Sequence, residues 1–393
     1  MANNRDTADA LPTSSQADLL HSDSRQNDEM RPPNVVSMAA SQAGFDAMCQ
    51  AFEATCRQHP DEYVESSYTL AERVVQIRCV GRDLAAIYQR SLAPRATPHT
   101  DSATAPIPPD LTIDLWDEAV TGQPYPQLDK EDDSQPPLGE QIQFHEASGQ
   151  LVWIREHRSA TWLDRKANRF VGWRAQSAQV PVHERSKPLS ALLPLWFYDQ
   201  GIHVLHAGMV ARHGAGVLIT GGSGIGKTTT TLCCLLAGLD ILSDDQVAVV
   251  RPEKDNSKFV AHSIFQSARV LPDHLERFPE LKPNAIMGQL PKDPKALLFL
   301  AEQFPTRVVP QSTIRAIALP RLAGQAQTSF QRATRVEALN YMARTSLMTP
   351  YGIGRARFVH MTALLGSAPC VWLNLGHDLT QIPIAIDRLI AET

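Results

Sequence analysis

Residues Gly221, Gly222, Ser223, Gly224, Ile225, Gly226, Lys227 and Thr228 set four glycines, a lysine and two hydroxyls within eight positions. That combination suits the holding of phosphate groups. Glycines let the backbone curl until successive N–H groups face phosphate oxygens, and the lysine supplies a point charge to the β- and γ-phosphates. A threonine at the position of Thr228 puts its hydroxyl on Mg²⁺. The pattern means most where a strand feeds the loop and a helix leaves it. Here residues 215–220 (AGVLIT) read as a buried strand, and Thr229 opens the helical run TTTLCCLLAG, closed by Gly238. Residues 221–229 are therefore candidates for binding a nucleoside triphosphate.

Two further features could complete such a site. Asp244 and Asp245 stand at the edge of a strand in ILSDDQVAVV, one helix and one turn beyond the lysine. One carboxylate there can complete a Mg²⁺ shell, and its neighbour can take the proton from an attacking hydroxyl. Upstream, His206 lies in the apolar strand VLHAGMV, and a hairpin at residues 212–214 would pair that strand with the loop strand. Taken singly, an acidic pair is a solvated turn and a strand histidine is a core residue. Beside the glycine loop, both are candidates for catalysis. Cys233 and Cys234 read as small buried residues of the helix.

Together, LHAGMV, GGSGIGKT and LSDD resemble the catalytic core of HPr serine kinases and their relatives, in which histidine, phosphate loop and double aspartate follow in this order and spacing. Residues 262–281, 313–322 and 369–390 look like further segments of HPr-kinase-like proteins, so the resemblance spans about residues 62–393. It implies an α/β phosphate-loop domain with a mixed sheet, the fold shared with phosphoenolpyruvate carboxykinase, and ATP with Mg²⁺ as cofactors. It assigns residues 221–228, Lys227 included, to the ATP phosphates and Thr228 with Asp245 to Mg²⁺. Asp244 becomes the base that accepts the substrate hydroxyl proton, with His206 near it to tune it. The implied activity is transfer of the γ-phosphate to a serine of a protein or peptide, with homo-oligomerisation open. The alternative is a nucleotide-responsive binding module that transfers nothing, against which the intact aspartate pair argues.

The surrounding chain has to position these groups. It has 393 residues, 43% hydrophobic and 20% charged, enough for two domains. A formal charge of −5 gives no general drive toward nucleic acid, and no apolar run reaches the ~18 residues of a membrane span. The start is polar, without a secretory apolar core, and the six cysteines form no CxxC pair, so a reducing cytoplasmic setting without structural zinc is expected. Residues 1–40 read as a disordered tail, 41–188 as a small α+β region and 189–393 as the kinase-like domain. Within the middle region we expect a helix over 44–57, a strand over 73–80 and a helix capped by Asp83. Strands over 111–116, 142–145 and 151–155 would form a small sheet, and 189–198 a buried helix. Arg315, Arg321, Arg332, Arg335, Lys292 and Lys295 are taken as solvated charges, and residues 348–357 as a surface loop.

Overall fold

The computed structural model describes residues 34–92, 108–126, 136, 140–252, 258–288, 293–346 and 354–393. Two eight-stranded mixed sheets dominate it. The first runs across the strands Asn34–Val36, Gln141–Glu146, Leu151–Glu156, Ser159–Asp164, Arg169–Arg174, Leu111–Asp117, Arg73–Val80 and Tyr63–Leu70. It is larger than the small sheet expected, because Asn34–Val36, Tyr63–Leu70, Ser159–Asp164 and Arg169–Arg174 join the strands expected over 73–80, 111–116, 142–145 and 151–155. Trp153 and Trp162 sit directly across from each other in register and stack at 4.0 Å, a cross-strand aromatic pair that fixes that register.

The helix Met38–Gln58 packs Phe45, Met48 and Phe52 against Trp116, Trp153 and Trp162 on one face of this sheet. Ser37 caps it, accepting from the Ala40 N–H. Among the described residues, regular structure is present from Asn34, within the expected tail of residues 1–40, because Asn34–Val36 finds a parallel partner in Gln141–Glu146 and Ser37 caps the helix. Residues 1–33 lie outside the described residues. So does the first part of the 348–357 loop. Asp83 lies in the first turn of the helix Arg82–Leu92 and is not its cap. The apolar run after Leu189 forms the buried helix Leu193–Asp199.

The second sheet runs Ala215–Thr220, His203–Arg212, Gln246–Val250, Val260–Ser263, Gln311–Leu322, Cys370–Leu375, Ser329–Arg332. Asp240–Ser243 also pairs with His203–Arg212, and Ala215–Thr220 also runs parallel to Gln311–Leu322. The helices Lys227–Leu236 and Gln381–Glu392 pack one face, and Arg335–Ser346 and Gly354–Ser367 pack the other. A continuous apolar core joins Leu193, Trp196 and Phe197 to both sheets, and Pro33–Thr393 is one compact unit.

Candidate functional site

The hairpin that seats the glycine loop forms as its residues dictate. His203–Arg212 and Ala215–Thr220 pair antiparallel, Arg212 opposite Ala215, through a turn in which His213 and Gly214 both take positive φ. At the far end of Ala215–Thr220 the loop begins. Gly221, Gly224 and Gly226 all adopt left-handed backbone, and a Cβ on Gly226 would stand 2.5 Å from Leu375 Cδ1. Gly222 and Gly224 have open space where a side chain would be, so the loop backbone is bare on that side. Gly226 leads into the helix Lys227–Leu236, and Lys227 folds back across the loop to donate to the Gly221 and Gly222 carbonyls at 2.7 Å each. Burial lowers its pKa.

The aspartates are thrown out of the sheet by a break in pairing. Asp240–Ser243 and Gln246–Val250 both pair with His203–Arg212, and the register slips between Ile241 and Ser243. The Ser243 hydroxyl accepts from the N–H groups of Asp245 and Gln246 and holds the bend. Successive side chains there leave in different directions. Asp244 turns to the helix: Thr228 Oγ1 donates to its Oδ2 at 3.2 Å and Thr231 Oγ1 to its Oδ1 at 2.9 Å. Only 3% of Asp244 is exposed, and burial first, then the charge of Asp245, raises its pKa.

Asp245 turns the other way. Its side chain is 24% exposed, makes an ion pair with Lys187 and lies 3.3 Å from His206 Nδ1. Burial works to raise the Asp245 carboxyl, but the Lys187 ammonium beside it, with help from His206, holds it well below the usual carboxylate range. His206, opposite Gln246 in the sheet, is pushed down to about 4 by burial and is neutral at neutral pH. Gly208 makes the close approach possible, since a Cβ there would meet Thr231 Cγ2 at 2.7 Å and the Asp244 carbonyl at 2.9 Å.

The structure thus brings the glycine loop, Lys227, Thr228, Asp244, Asp245 and His206 together. It pairs them differently from the resemblance, however. Thr228 meets Asp244 where Asp245 was expected, and His206 meets Asp245 where Asp244 was expected. Among the described residues, the side chains of Ser223, Ile225 and Thr229 make no hydrogen bond to a member of this cluster.

Two residues, Lys187 and Thr231, were not singled out from the sequence, and a third, Lys295, was set aside. Lys187 follows the short helix Val182–Ser186, which is tied down where the Ser91 hydroxyl donates to the Ser186 carbonyl at 3.3 Å. Nothing in HERSKPLS marks this lysine as close to Asp245. Lys295, set aside as solvated, lies close enough for its charge to lower His206 and Lys227. Thr231 belongs to the run Thr228–Thr231, and four β-branched residues in the first turns of a helix are themselves a signal. Lys292 is outside the described residues. Arg321, Arg315 and Arg335 bond Asn374, the Thr393 carbonyl and the Gly366 carbonyl. Cys233 and Cys234 are buried, as expected of small helix residues.

Oxygen donors fit a hard divalent cation, and Thr228 with Asp244 presents a hydroxyl and a carboxylate together beside the bare loop. No protein-family model matches this chain, and no curated protein matches it. Among solved structures, the Hpr(Ser) kinase/phosphatase from Coxiella burnetii is similar over 49% of this chain and 99% of its own length, at 14% identity and a TM-score of 0.26. A superposition that loose bears on neither mechanism nor substrate. No helix among the described residues is long and apolar enough to cross a membrane.

Proposed function

We propose that this chain is an ATP- and Mg²⁺-dependent kinase that moves the γ-phosphate to a serine hydroxyl of a protein or peptide. The observation that carries the reading is the division of the aspartate pair: Asp244 is buried against Thr228 and Thr231, and Asp245 is turned outward between Lys187 and His206. A binding module has no use for two carboxylates held in such different settings at one phosphate loop.

In this reading the backbone of residues 221–228 and Lys227 hold the ATP phosphates. Thr228 and Asp244 are the protein groups that would hold Mg²⁺, which when bound neutralises charge on the β- and γ-phosphate oxygens. Asp245 takes the proton as the serine oxygen bonds to the γ-phosphorus and the bond to ADP breaks. Its low pKa is tolerable because phosphoryl transfer relies on positioning and charge neutralisation more than on base strength. His206, neutral, and Lys187 hold the Asp245 carboxylate in place. Lys187 and Lys295 add positive charge where the phosphoryl group passes. The free thiols suit a reducing cytoplasmic setting. The acceptor is a serine-bearing polypeptide, with no nucleic acid or membrane partner, and self-assembly is left to measurement.

Incubation of the purified chain with γ-labelled ATP and Mg²⁺ in a lysate of its own source tests this. Labelled phosphoserine that depends on Lys227 supports the kinase and identifies its acceptor. Tight ATP binding with no label above background supports the nucleotide-responsive binding module instead.

A further inference from the structure

We propose that Arg174 and Glu184 are positioning residues for the phosphoryl-transfer site: the buried contact between them fixes the short helix Val182–Ser186, and through that helix it holds Lys187 on Asp245. The inference rests on the kinase reading and deepens it, because it makes the first sheet part of the site. Lys187 follows the helix directly, and its N–H donates to the His183 carbonyl at 3.2 Å. A helix of five residues is too short to be stable by itself. The placement of Lys187 is therefore decided by what grips the helix.

Ser91 and Ser267 grip its backbone, both donating a hydroxyl to the Ser186 carbonyl. Arg174 supplies the hold from the strands of the first sheet. It ends the strand Arg169–Arg174 and is only 4% exposed. Its Nε donates to Glu184 Oε1 at 2.7 Å, and its Nη2 donates to the same oxygen. The guanidinium is itself fixed: Nη1 donates to the Ala160 carbonyl and Thr161 Oγ1 at 3.1 Å each and to the Trp173 carbonyl at 2.9 Å, and Nη2 reaches the Tyr88 hydroxyl at 3.4 Å. Two features point to placement more than to stabilisation. A buried ion pair is weak grounds for stability, since an apolar pair of similar volume often does as well. Both contacts also go to one oxygen, and Glu184 Oε2, buried like its partner, makes no hydrogen bond among the described residues, although buried polar atoms nearly always have one. The Glu184 charge is felt nearby, where burial first and that charge second push Glu156 up to about 7. Such an arrangement costs the fold free energy and selects one orientation of the helix.

Competitive acylation of the full chain with acetic anhydride, read by mass spectrometry of the lysine-bearing peptides, reports how firmly Lys187 is held. Its side chain is 19% exposed and ion-paired, and Lys227, bonded to the loop carbonyls, is the internal reference. Glu184→Ala should raise acylation of Lys187 by about tenfold or more and leave Lys227 protected. Glu184→Gln, whose amide oxygen still accepts from Arg174, should stay near wild type. If Glu184→Ala fails to fold because Arg174 is left buried without an acid, Arg174→Met with Glu184→Ala removes the tie and the stranded charge together and is read in the same way. In the transfer assay Glu184→Ala should lower kcat at unchanged KM for ATP, and cause no further loss in a Lys187→Met chain. Unchanged acylation of Lys187 in Glu184→Ala overturns the proposal. So does a joint rise of Lys187 and Lys227, a Glu184→Gln chain that behaves as Glu184→Ala, or a loss of kcat that adds to that of Lys187→Met. The labelling needs no phosphotransfer, so a wild-type chain that transfers nothing counts against the kinase reading alone.

Discussion

Thr231→Val removes one hydroxyl from the site and little volume. In the native chain that hydroxyl donates to Asp244 Oδ1 at 2.9 Å and lies 3.0 Å from the Thr228 carbonyl. The substitution leaves Asp244 Oδ1 without this donor in a setting only 3% exposed. A buried acceptor stripped of its partner costs about 1–3 kcal/mol, toward the upper end when it is charged. The Thr231 hydrogen bond also works to lower the Asp244 pKa, so its loss pushes that carboxyl further in the direction in which burial already drives it. Two effects should follow. Urea unfolding near neutral pH should show a loss of about 1–3 kcal/mol at unchanged slope. Binding of ATP with Mg²⁺ should weaken by about tenfold, and its pH dependence should move to higher pH. Thr231→Ser keeps the hydroxyl and should show the smaller part of both effects. A Thr231→Val chain within about 0.5 kcal/mol of wild type, with an unchanged pH dependence of binding, would refute the reasoning.

Three other outcomes are expected. Lys187→Met removes the ammonium that depresses Asp245, so the acid limb of the transfer rate should move to higher pH; a limb that stays in place denies Asp245 its part in the reaction. Gly208→Ala drives a Cβ into Thr231 and the Asp244 carbonyl and should destabilise by about 1–3 kcal/mol, read by denaturant midpoint, whereas Gly222→Ala, with open space around it, should cost less. His203, His206 and His360 are held neutral, at about 4, 4 and 3, against an ordinary value of 6.5, so the unfolded chain binds more protons below 6.5. Their share of stability is present above pH 6.5 and should fall as pH drops toward 4, and His203→Phe should flatten that decline.

Much of the site was legible from residue type and order. The glycine spacing, the strand before it and the threonine-rich helix after it are local features, and local features determine a strand–loop–helix unit. The hairpin at His213-Gly214 was equally local, and it brought His206 to the loop strand as expected. The division of labour within Asp244-Asp245 was not legible. It depends on a register slip between Ile241 and Ser243 and on the Ser243 side chain, and pairing registers are set by the whole sheet. Lys187 was invisible for a related reason. It reaches Asp245 from 58 positions away, through a short helix that is held by the Ser91 side chain. The first sheet was underestimated because Ser159–Asp164 and Arg169–Arg174 are buried along most of their length and show no polar alternation.

The most direct measurement compares Asp244→Asn and Asp245→Asn in parallel, each assayed for Mg²⁺-dependent ATP binding and for γ-phosphate transfer to the acceptor. The account predicts that Asp245→Asn still binds ATP with Mg²⁺ and transfers nothing, whereas Asp244→Asn loses the Mg²⁺ dependence of binding. The reverse pattern, with Mg²⁺-dependent binding lost in Asp245→Asn and kept in Asp244→Asn, would contradict the assignment drawn from Thr228 and His206.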